Sequence, residues 1–106
     1  MKELVIVENE DGWEDALKYA SQRIKDGEVI LLVQKDGVKR CIKCEPELFK
    51  LLHQFILDGG RACVCLESLE AFNIPATRPP DIFERLKNCE TFIQELNQQG
   101  FTLRLF

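Results

Sequence analysis

Val29-Ile30-Leu31-Leu32-Val33 is an unbroken apolar run set between the turn signals Asp26-Gly27 and Asp36-Gly37. A continuous run, as opposed to an alternating one, suits a strand covered on both faces, as in a parallel sheet. Leu4-Val5-Ile6-Val7 has the same character and stops at Glu8-Asn9-Glu10-Asp11-Gly12. Ala62-Cys63-Val64-Cys65-Leu66 is the third such run, preceded by Asp58-Gly59-Gly60. Between these runs the apolar spacing becomes helical. Trp13, Ala16, Leu17, Ala20 and Ile24 recur on one side of a helix, opposite Lys18, Gln22 and Lys25. That helix is predicted to end at Asp26-Gly27, with Gly27 as a left-handed cap. Pro46 suits the first turn of a second helix, whose stripe is Leu48, Leu51, Leu52, Phe55 and Ile56.

The remainder is less regular. Val38 to Ile42 is read as a short extension or edge strand. Ser68 to Phe72 reads as one or two helical turns, and Pro75, Pro79 and Pro80 turn the next segment into a loop. Asp81, with Glu84 three residues later, has the form of a capping box, so a last helix is predicted there. Ile82, Leu86, Cys89, Ile93 and Leu96 mark its buried face, Gly100 ends it, and Phe101 to Phe106 is a final alternating strand. Strands alternating with helices give a mainly parallel sheet of four to five strands with helices on both faces. The 106 residues fit a single α/β domain spanning 1–106.

Composition narrows the function. Hydrophobic residues make up 45% of the chain and charged residues 30%, which is ordinary for a folded globule. The net charge is −4, and no basic block exceeds short pairs such as Lys39-Arg40. Nucleic acid is therefore not the expected partner, because binding it needs a concentrated basic surface. No apolar stretch approaches a membrane span. The apolar run at the N-terminus is too short for a signal-peptide core, so a cytoplasmic protein is expected. There is no P-loop, dinucleotide glycine fingerprint or Ser/His/Asp arrangement, and no cofactor is expected. Five cysteines without an export signal then point to free thiols, metal ligands or redox chemistry before structural disulfides.

In open parallel sheets, ligands bind outside the carboxyl ends of the strands. Three segments occupy such positions: Glu8 to Asp11, Gln34 to Val38, and Cys65 to Ser68. The third carries the most pointed chemistry. Cys65 lies near the end of its strand, and Ser68 is a good N-cap for the adjoining turn. A helix N-terminus favours thiolate, while Glu67 and Glu70 oppose it and Arg61 and Arg78 can compensate. Burial as a packed core cysteine is the competing reading. Cys63, two residues earlier, points to the same face and should be deeper. Cys41-Ile42-Lys43-Cys44 is a C-x-x-C ahead of Glu45-Pro46, which offers a redox pair or, with Cys63 and Cys65, a zinc set. His53, the only histidine, lies off the apolar stripe and reads as a solvated surface residue.

Several short segments together resemble the DsrE/DsrF-like family of small sulfur-relay proteins with the YchN-like fold. They are Ala16-Leu17-Lys18-Tyr19-Ala20 with Gly27-Glu28-Val29, and Asp36-Gly37-Val38. The most telling is Cys65-Leu66-Glu67-Ser68-Leu69-Glu70-Ala71-Phe72-Asn73-Ile74, which resembles a Cys-x-x-Ser segment that commonly ends in Gly-Ile. The resemblance implies a three-layer α/β/α fold, assembly into homo-oligomers (trimers or hexamers), and a cysteine carrying sulfur as a persulfide between donor and acceptor proteins. Carried over by position, that cysteine is Cys65, with Ser68 beside it as the turn residue. Two alternatives stay open. One is a non-catalytic, oligomeric binding or regulatory protein whose pocket lies near Asp11 and Gly37. The other is a redox or metal protein working through Cys41 and Cys44.

Overall fold

The computed structural model describes residues 1–106. Five strands form one all-parallel sheet: β1 (Lys2–Val7), β2 (Glu28–Val33), β3 (Arg61–Cys65), β4 (Glu84–Leu86) and β5 (Thr102–Leu105). Their order across the sheet is β4-β3-β2-β1-β5. The connecting helices are α1 (Trp13–Arg23), α2 (Pro46–Leu57), α3 (Leu66–Ala71) and α4 (Cys89–Gln98). The unbroken apolar runs do what they predict, since Leu4 to Val7, Val29 to Val33 and Ala62 to Cys65 are all buried. Side chains alternate between two cores. Val5, Val7, Leu31, Val33, Ala62 and Val64 pack with Trp13, Leu17, Leu52 and Phe55 of α1 and α2. Leu4, Ile6, Ile30, Leu32 and Cys63 pack on the other face with Leu96 of α4 and Phe101. The result is a three-layer α/β/α domain.

The structure corrects the sequence reading in four places. The segment Glu84–Leu86, predicted as helix, is the strand β4 on the edge of β3. Glu84 does not complete a capping box. Its carboxylate accepts two hydrogen bonds from Arg61 of β3, at 2.6 and 2.8 Å. Arg85 pins the preceding loop by donating to the carbonyls of Ala76, Pro79, Pro80 and Phe83. The last helix therefore starts at Cys89, capped by Asn88, whose side chain accepts from the Thr91 N–H at 3.3 Å.

Val38 to Ile42 is not a strand. Lys35–Lys39 and Ile42–Cys44 are short 3-10 helices that press Val38 and Ile42 into the core around Trp13. Gly27 is not a left-handed cap, because α1 ends earlier, at Arg23. Glycine is required there because a Cβ would run into the Met1 carbonyl oxygen.

Asn73 occupies the left-handed region with φ 56°. Asparagine tolerates that conformation, and a β-branched residue does not. Asn73→Val is expected to cost about 1–2 kcal/mol, and Asn73→Gly to stay within about 1 kcal/mol of the parent. Urea unfolding midpoints of the two variants check this.

Candidate functional site

Because every strand is parallel, all carboxyl ends open on one edge of the sheet. Cys65 is the last residue of β3 and stands in register with Leu86, the last residue of β4. Three residues beyond Leu86 the chain enters α4 at Cys89. This places the two sulfurs together. Cys65 and Cys89 form a disulfide with a Cα–Cα distance of 5.9 Å, across 24 residues of sequence. Both residues are covered, at 4% and 2% exposure. Above them is an open depression lined by Gln34, Lys35, Glu67, Ser68, Glu90 and Ile93.

The rim of the depression is fixed by polar contacts. Ser68 Oγ accepts a hydrogen bond from the Lys35 N–H at 2.8 Å, and Lys35 itself holds a left-handed φ of 53°. Gln34 Nε2 donates to Glu8 Oε2 at 2.8 Å, and Lys35 Nζ lies 3.2 Å from the same carboxylate. The ends of β1, β2 and β3 are thereby tied into one surface.

Several expectations change against this geometry. Cys65 is at a strand end as predicted, but Ser68 is not a helix cap. The strand passes into α3 at once, Cys65 takes the N-cap position, and Ser68 is the third residue of a six-residue helix. Its role is to anchor the turn after β2. Helical spacing puts Cys89 on the buried face of a longer helix, whereas the structure makes it the partner of Cys65. The signals available in the sequence are the odd cysteine count and a cysteine directly after Asn88, a good cap residue.

The remaining thiols lie elsewhere. Cys63 packs inside the α4-side core, and burial pushes its thiol up to about 12. Cys41 and Cys44 are free thiols 3.5 Å apart, just ahead of α2. Contact with Cys41 raises the Cys44 pKa. Cys41 sits beside Trp13 and Val64, on the face of the sheet opposite Cys63. The four-cysteine zinc set is therefore not assembled. His53 stacks on Phe49 at the surface. Gly37 is buried, with its carbonyl accepting the Trp13 indole N–H at 2.8 Å, while Asp11 is exposed.

The pair offers reversible dithiol–disulfide chemistry and, when reduced, a nucleophilic thiol at a strand end. Ligand atoms of Cys65, Cys89 and Glu67 lie within 4.8 Å of one another, so the reduced form presents two sulfurs and a carboxylate to a soft divalent cation. Closing a loop of this length restricts the unfolded chain, and reduction is expected to cost about 3 kcal/mol of stability. Thermal unfolding with and without a reductant should differ by roughly 10–25 °C. In Cys89→Ser the difference should vanish.

No protein-family model matches the chain, and no curated protein matches it in sequence. Solved structures that share its fold include two proteins of unknown function. The protein of unknown function MTH1491 from Methanobacterium thermoautotrophicum has a TM-score of 0.78 at 15% identity, over 100% of both chains. The conserved protein of unknown function BT1422 from Bacteroides thetaiotaomicron has a TM-score of 0.74 at 13% identity, over 99% of this chain and 95% of that one. At these identities the likeness concerns the fold alone. No helix is long and apolar enough to cross a membrane.

Proposed function

We propose that the chain is a DsrE/DsrF-like sulfur-handling protein in which reduced Cys65 accepts sulfane sulfur as a persulfide. The observation that carries this reading is the position of Cys65, at the carboxyl end of β3 beneath an open depression and in bonding contact with a second cysteine. Two details support the resemblance. Asn73 holds the left-handed conformation that suits the glycine common at that position. The strand β4 lies within the segment between Pro75 and Cys89, where the family often has a strand.

The step balances as a thiol exchange. The Cys65 thiolate attacks the outer sulfur of a donor persulfide, R–S–SH. The donor S–S bond breaks, R–S⁻ leaves, and Cys65–S–SH forms. Lys35 stands on the rim of the depression, paired with Glu8. In this reading the protein works in the cytoplasm as a homo-oligomer, a trimer or hexamer, and meets donor and acceptor proteins. A disulfide in that compartment belongs to the transient, working kind.

The test is intact-mass analysis of pre-reduced protein exposed to a low-molecular-weight persulfide. Uptake is expected, read either as a gain of one sulfur that a reductant reverses or as sulfide released from the protein. Protein that gains no sulfur and releases no sulfide contradicts the reading. The bridge itself favours a second reading, a thiol–disulfide oxidoreductase. That reading stands if the pair exchanges with dithiols and never takes up sulfur.

A further inference from the structure

Sulfur acceptance by Cys65 leaves Cys89 without a task, and the geometry gives it one. Building on the persulfide reading, we propose that Cys89 is a resolving cysteine that discharges the Cys65 persulfide as sulfide, so that the protein reduces sulfane sulfur and does not only carry it.

A second thiol at bonding distance is incompatible with a long-lived persulfide. Cys65 is held by its register with Leu86, and Cys89 is held by the first turn of α4 and the Asn88 cap. Their backbones already stand at the separation of a bridged pair. Attack by Cys89 therefore needs no search, and intramolecular attack in a preformed geometry outruns transfer to an outside acceptor. No other thiol of the chain competes for the inner sulfur. Cys63 packs beneath the sheet end with its pKa raised by burial, and Cys41 lies on the opposite face.

The atoms and electrons balance. The Cys89 thiolate attacks Sγ of Cys65–S–SH. The persulfide S–S bond breaks, the outer sulfur leaves as HS⁻, and the Cys65–Cys89 bond forms. The sulfane sulfur gains two electrons, and the two cysteines lose two as they become the disulfide of the structure. The outer sulfur departs into the depression between Lys35, Glu67 and Ser68, which is open to solvent. A dithiol reductant then attacks the bridge and leaves as its own disulfide, which restores both thiols. The substrate class is a low-molecular-weight persulfide or inorganic polysulfide, and the products are sulfide and, from a persulfide, a thiol.

The experiment uses full-length protein, reduced and freed of reductant, mixed with glutathione persulfide. Released sulfide is trapped by alkylation, and the protein is analysed by non-reducing peptide mapping. Wild type is expected to release sulfide in step with formation of the Cys65–Cys89 bridge. Cys89→Ser and Cys89→Ala are expected to retain the added sulfur on Cys65 and to release sulfide at least about 100-fold more slowly. Two variants of different polarity guard against a folding artefact, and circular dichroism checks both. Wild type that keeps its added sulfur without forming the bridge overturns the resolving role and leaves the persulfide reading standing. Equal sulfide release from wild type and both variants has the same meaning. Absence of both sulfur uptake and sulfide release in all three proteins overturns the persulfide reading, and the resolving role with it.

Discussion

Cys65→Ser is expected to reduce sulfur loading to the background of a fully alkylated protein. A hydroxyl of similar size occupies the same strand end, but it is not ionised at neutral pH and does not attack sulfane sulfur. The other thiols should not take over. Cys63 is enclosed and its thiol is pushed up to about 12, so almost none of it is thiolate at neutral pH. Cys41 and Cys44 are partly or fully accessible, yet they lie away from the depression, and their mutual contact raises the Cys44 pKa. The variant also loses the bridge, so parent and variant are compared in their reduced forms. There the fold should survive with a cost of about 1 kcal/mol for the buried hydroxyl. Intact mass together with released sulfide after persulfide exposure reads the loading, and circular dichroism reads the fold.

Trp13→Ala is expected to be the most damaging single core truncation, at about 3–5 kcal/mol. Trp13 is 2% exposed and meets the Phe83 ring edge-to-face, with centroids 6.1 Å apart. Its indole N–H also satisfies the buried Gly37 carbonyl. Removing the ring opens a cavity and orphans that carbonyl together. Trp13→Phe separates the two effects. It keeps most of the volume and should cost about 1–3 kcal/mol, the penalty for an unpaired buried polar group. Urea unfolding at unchanged slope checks both values. The consequence extends to the site. Gly37 lies in the 3-10 helix that begins at Lys35, and Lys35 is the residue tied to Ser68. Loosening Trp13 should therefore slow sulfur loading beyond its effect on the folded fraction.

The sheet was legible wherever strands are buried on both faces. Val29 to Val33, Leu4 to Val7 and Ala62 to Cys65 declare themselves because a central parallel strand has no wet side on which to place polar residues. The strand β4 could not declare itself. Glu84-Arg85-Leu86 is too short for any period, and two of its three residues are charged. What makes it a strand is the open edge of β3 and the Arg61–Glu84 pair across it, both long-range. The local pattern from Asp81 to Glu84 meanwhile matches a helix start. That error hid half of the site. With the helix drawn from Asp81, Cys89 falls mid-helix on a core stripe. With β4 in place, the chain turns into α4 beside Cys65. The strand-end rule located Cys65 from sequence because it depends only on where an apolar run stops. Its partner depends on which strand lies next to which, and that is written in tertiary pairing. Ser68 shows the same limit at smaller scale. A serine near a helix start favours capping, but the immediate passage from β3 into α3 left that position to Cys65 and turned Ser68 toward the Lys35 backbone.

The claim that Cys65 is the sulfur acceptor is tested most directly by locating the sulfur. Reduced Cys89→Ser protein, which cannot form the bridge, is loaded with a persulfide, alkylated, digested without reductant and sequenced by tandem mass spectrometry. The extra sulfur atom is expected on the peptide that contains Cys65, with Cys41, Cys44 and Cys63 unmodified by sulfur. Sulfur found on Cys41 or Cys44, with Cys65 recovered as an ordinary alkylated thiol, would contradict the claim.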